Sequence, residues 1–131
     1  MRRLVVVLLG VASYALLGCE QSPKMDVKPV IENGQVVFEV PHKGIISIHV
    51  FRIEDEDGKP LWDLHTTYKG HRIIYGVAPA SGSMRAQQKV PPEGEIPVPI
   101  RGRTVIVTVV YEYDENMTPS AGTYRKTVQI P

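Results

Sequence analysis

One cysteine occurs in 131 residues, at position 19. No disulfide within the chain is possible, so a folded domain here rests on its apolar core alone. Neither sign of charge dominates: 15 Lys and Arg stand against 14 Asp and Glu. Nucleic-acid binding wants a strong basic excess, and there is none. The longest apolar run, Leu4 to Leu17, is interrupted only by Gly10 and Ser13. It falls short of the roughly 20 residues that a membrane-spanning helix needs. Catalytic signatures are missing too: no GxSxG nucleophile elbow, no GxxxxGK phosphate loop, no HExxH pair. Neither an internal repeat nor an amphipathic helix can be traced.

What the N-terminus does have is order. Arg2 and Arg3 give a positive start, the apolar stretch follows, and small Gly18 stands directly before Cys19, where composition turns abruptly polar. That is the layout of a cleaved export signal. Within it, Leu16-Leu17-Gly18-Cys19 resembles the lipobox of bacterial lipoproteins. The resemblance covers residues 1–19 and implies cleavage before Cys19, diacylglyceryl transfer to its sulfur and often a further acyl chain on the new amino terminus. Each buried CH₂ contributes about 0.8 kcal/mol, so two or more chains anchor stably where one does not. The implied location is the bacterial cell envelope, and Glu20 after the cysteine favours the outer membrane over the inner.

The resulting layout is a signal peptide over 1–18, a lipidated Cys19 with tether over 19–25, and one domain over 26–131. Removing 18 of 131 residues leaves 113, enough for one core, with 13 basic residues against 14 acidic ones. The tether segment 20–25 reaches only about 20 Å, at about 3.5 Å per residue, so the domain stays close to the membrane.

From Asp26 the pattern is of short strands and turns. Val27 to Glu32 and Gln35 to Val40 flank Asn33-Gly34, a strong hairpin signal because both residues accept positive φ. Pro29 confines the first of these strands to an edge. Ile45 to Ile53 changes phase: Ile46, Ile48 and Val50 alternate, then Phe51 and Ile53, which predicts a bulge near Val50-Phe51. Pro60 to Leu64 follows an acidic turn and places Trp62, the only tryptophan, at the centre of the core. Residues 65–71 read as a loop and Ile73 to Val77 as a strand. Ala78 to Glu95 reads as a long loop without periodicity, and Ile96-Pro97-Val98-Pro99-Ile100 as an extended edge segment. Thr104 to Tyr113 is the clearest strand, 114–122 a turn, and Thr123 to Ile130 the last strand. About seven strands without a helix predict an all-β fold. The expected form is an antiparallel two-layer sandwich of immunoglobulin or fibronectin-III type.

Candidate chemistry is thin. With Gly58 sixth in an EF-hand loop, Asp55 and Asp57 fall correctly, but Ile53 and Leu64 occupy the first and twelfth ligand positions. The acidic run at 54–57 therefore reads as a solvated hairpin tip. His42, His65 and His71 fall in turns, where exposed polar residues are the plain expectation. No metal, cofactor or catalytic residue is assigned. The reading is a non-enzymatic lipoprotein with an interaction or assembly module, its partners being the membrane through Cys19 and an envelope protein. The alternative is a small-molecule or glycan binder using Trp62, Tyr68 or Tyr75. Alternating turns put Asn33-Gly34, 54–59 and 78–95 at the end away from the tether. Partner binding is therefore expected on 78–95, around Met84, Arg85, Pro91 and Pro92, a loop that should shorten without harm to folding.

Overall fold

The structure is a computed structural model that describes residues 25–41, 43–81 and 84–131. Ten strands appear in chain order: β1 (Lys28–Glu32), β2 (Gln35–Glu39), β3 (Ile45–Glu54), β4 (Pro60–Tyr68), β5 (Arg72–Ile74), β6 (Ala80–Ser81), β7 (Met84–Arg85), β8 (Gln87–Val90), β9 (Thr104–Glu115) and β10 (Thr118–Gln129). Eight of them build two antiparallel sheets, a three-stranded β1-β2-β5 and a five-stranded β10-β9-β3-β4-β8; β6 and β7 pair as a small ribbon. No helix occurs among the described residues. The fold is thus the all-β two-layer sandwich that the strand pattern implies.

The core fills the space between the sheets. Phe38 from β2, Phe51 from β3 and Trp62 from β4 are fully buried, with ring centroids 5.2 Å apart for Phe38–Phe51 and 6.0 Å for Phe51–Trp62. Val105, Val107 and Val109 of β9 close the layer, as their alternation requires. Met25, the last residue assigned to the tether, is buried in this core as well.

The phase change in β3 is a bulge one step earlier than expected. Register shifts between Ile48 and Val50 against both neighbouring strands: against β9 the extra residue is His49, whereas against β4 it lies in β4, at 66–67. The extra residue in β3 lets Ile48 and then Phe51 and Ile53 all face inward.

Three connections are shorter than the sequence suggests. Strand β4 continues through His65 to Tyr68, so the 65–71 loop shrinks to 69–71; Thr66, Thr67 and Tyr68 suit a strand, and Tyr68 pairs with Ile48. The span 78–95 is not an unstructured loop: it carries β6, β7 and β8, the last paired with β4. Two-residue strands show no period, and β8 is polar because it lies at a sheet edge. The 114–122 turn contracts to Asn116 and Met117, since β9 and β10 pair from Glu115↔Thr118 onward. Polar residues persist in those strands because the hairpin runs on past Ile45, the first residue of β3, which pairs with Tyr113.

Candidate functional site

At one end of the sandwich the turn 75–79, the turn 91–95 and the extended stretch 96–99 meet. The residue that ties them to the core is Gln88 of β8. Its Oε1 accepts a hydrogen bond from the buried Trp62 Nε1 at 3.0 Å. Its Nε2 donates to the carbonyls of Pro91 (3.0 Å), Pro92 (3.2 Å) and Glu95 (2.9 Å). The amide orientation follows from these partners: an indole N–H needs an acceptor, and three carbonyls need donors. A second tie comes from Tyr75, whose ring packs edge-on against Trp62 at 5.3 Å and whose hydroxyl donates to Val98 O at 2.7 Å. Burial pushes the Tyr75 phenol up to about 12, with nearby Arg103 opposing part of the rise.

On this fixed base three apolar side chains are exposed. Ile96 is 89% exposed, Val98 48% and Val77 47%. They stand out because Pro97 and Ile100 turn inward instead. The Ile-Pro-Val-Pro-Ile alternation thus divides differently from a strand, since proline withholds the N–H that a ladder would use. Beside it lies an open cavity of about 440 Å³, lined by Gly76, Ala78, Ala86, Gln88, Glu95 and Ile96 among others.

The residues singled out in sequence are partly brought together. Pro91 and Pro92 form the turn held by Gln88. Met84 and Arg85 lie in β7, their backbones paired with Ser81 and Ala80. Gln88, Val77, Ile96 and Val98 are added by the structure, and Tyr75, named in the alternative ligand reading, is brought to the same end. Of those added, only Ile96 and Val98 left a signal in the sequence, as aliphatic residues set between prolines. Because β8 and Gln88 fall inside 78–95, replacing that whole span with a tight turn would remove an edge strand and a core hydrogen bond. The expectation that it shortens harmlessly is corrected. Cys19 and His42 lie outside the described residues.

The remaining polar candidates are engaged structurally. Asp55 Oδ1 accepts from the backbone N–H groups of Asp57 and Lys59, each at 2.9 Å, which makes the acidic tip an Asx-type turn. Buried Glu54 is met by Arg125 at 2.7 Å and buried Asp63 by Arg52 at 3.1 Å. His65 Nε2 stands 3.4 Å from Asp63 Oδ1, without the alignment of a hydrogen bond. His49 lies 3.1 Å from both Ser47 Oγ and Glu112 Oε2. No group of three or more His, Cys, Asp or Glu among the described residues is placed to hold a metal. Compared with protein-family models, curated proteins and solved structures, the chain matches none.

Proposed function

We propose that the chain is a bacterial envelope lipoprotein, held on a membrane by acyl chains on Cys19, with Glu20 directing it to the outer membrane. Its sandwich is a non-enzymatic interaction or assembly module. It docks an envelope protein through the end that carries 75–79 and 91–99. Ile96 carries this reading: an isoleucine held bare on a segment pinned to the core, with Val77 and Val98 nearby. Apolar side chains grouped on a rigid surface are the usual mark of a protein contact. The anchor rests on the sequence at 16–19.

A cavity of about 440 Å³ also lies within the size range of small-ligand sites. The ligand reading, however, calls for aromatic rings facing solvent. Trp62 is wholly buried, and the hydroxyls of Tyr68 and Tyr75 are given to the carbonyls of Arg72 and Val98. Support therefore lies with the docking surface. Replacing Ile96 and Val98 together by Asp tests it. The variant should keep its melting midpoint and its fatty-acid label yet fail to complement a gene deletion. Full complementation would reject the surface.

A further inference from the structure

The chain makes two tight hairpin turns of the same kind and fills them differently. Asn33 and Gly34 have φ of 51° and 78°; Asn116 and Met117 have 49° and 64°. Both central residues of such a turn take positive φ, which glycine and asparagine tolerate and methionine does not. Met117 thus holds a position where glycine would serve the fold better, and it leaves its side chain 94% exposed. Backbone strain and a bare apolar side chain coincide in one residue. Strain that the fold itself does not require points to a contact made outside it.

The position of the turn indicates what that contact is. Lys28, at the start of β1, pairs with Glu39, at the end of β2, and the link after Val40 leads directly to the start of β3. Asp114 N donates to Gly44 O at the root of the β9–β10 hairpin. The hairpin tip therefore lies at the end of the sandwich where the chain leaves residues 19–25 and enters β1. Past the Ile45–Tyr113 pair it projects by about 10 Å, at about 3.4 Å per residue. With Met25 held in the core, the tether is residues 20–24, about 18 Å at about 3.5 Å per residue, which keeps one surface permanently within reach at this end, the membrane itself. The tip is acidic: Asp114 and Glu115 precede the turn, and no Lys or Arg occurs between Asp114 and Tyr124. Lys43 and Lys69 belong to the links behind it. Such a tip is repelled by anionic lipid, whereas its carboxylates suit the ammonium of phosphatidylethanolamine.

We propose that Met117 inserts among the zwitterionic headgroups of the membrane that holds Cys19, as a second, reversible contact that fixes the orientation of the domain. This rests on the acylation of Cys19. With that sulfur acylated, Met117→Cys creates the single free thiol for an environment-sensitive fluorophore. The acylated full-length protein is reconstituted in vesicles of phosphatidylethanolamine and phosphatidylcholine, with Asn33→Cys as the opposite-end control. A label at 117 should shift to the blue and be quenched by lipid-borne nitroxide, several-fold more than one at 33, and the effect should weaken as anionic phosphatidylglycerol is added. Met117→Gly should raise the melting midpoint; a lower midpoint would overturn the strain argument. Solvent-like emission at both positions would overturn the tip contact, including in favour of a protein partner for Met117. An intact mass without lipid on Cys19 would instead overturn the anchor, and the proposal with it.

Discussion

Removing the Gln88 side chain tests how the apolar end is built. In Gln88→Ala the Trp62 indole N–H loses its acceptor, 3.0 Å away, inside a site with no exposed surface. Leaving a buried donor unpaired costs about 1–3 kcal/mol. The carbonyls of Pro91, Pro92 and Glu95 also lose a donor, but they sit at an exposed turn and water replaces it, so their share is about 1 kcal/mol or less. The expected loss is about 1–4 kcal/mol in urea denaturation followed by Trp62 fluorescence, with faster amide exchange at 93–96. Gln88→Glu separates the two halves of the network. A carboxylate still accepts from the indole, but it turns a negative oxygen toward three carbonyls, so its protonated form is favoured in the fold. The folded pKa then lies above the unfolded value of about 4.3. The destabilisation is full at neutral pH and is relieved as pH falls through the folded pKa toward the unfolded one. A loss below about 0.5 kcal/mol in Gln88→Ala, against the range for an orphaned buried donor, would show that the Gln88–Trp62 bond does not hold this end. A Gln88→Glu variant insensitive to acid would show that residue 88 does not face the three carbonyls.

Trp62→Ala should destabilise the domain by about 3–5 kcal/mol, the cost of emptying a large aromatic site; native emission should be that of a buried indole, and exposed-type emission would contradict the core. Tyr75 is expected to hold its proton to about pH 12 against an ordinary value of 10.0, because of burial. Stability is then intact below the unfolded value and declines as pH rises from there through the folded one, and Tyr75→Phe should lessen the alkaline decline seen in denaturation curves. Cys19→Ser should abolish fatty-acid labelling and leave the precursor uncleaved; a labelled Ser variant would reject the lipobox.

What was legible in the sequence followed from period and turn chemistry. Asn33-Gly34 declared its hairpin because few other pairs tolerate its geometry. The valines of β9 declared their inward face, and the β3 phase change its bulge, because strand side chains alternate strictly. Residues 114–122 hid their strands because turn-forming residues were used in a hairpin wet on both sides. Asn116-Met117, with methionine where glycine is usual, did not mark where within 114–122 the tight turn sits. Strands β6 and β7 are too short to show any period. Gln88 was invisible for another reason: nothing local marks a glutamine whose partners are a tryptophan 26 residues earlier and a turn just ahead. Ile96 and Val98 were read as edge material. Their exposure depends on Pro97 and Ile100 turning inward, a tertiary choice that alternation alone does not decide.

Photo-crosslinking in intact cells tests most directly the proposal that the domain, anchored at one end, docks at the other. A photoreactive amino acid at Ile96 should yield one discrete adduct with an envelope protein. The same group at Thr123 on the exposed edge of β10 should yield none. An adduct at 123 with none at 96, from protein that is acylated and folded, would contradict the assignment of the docking end.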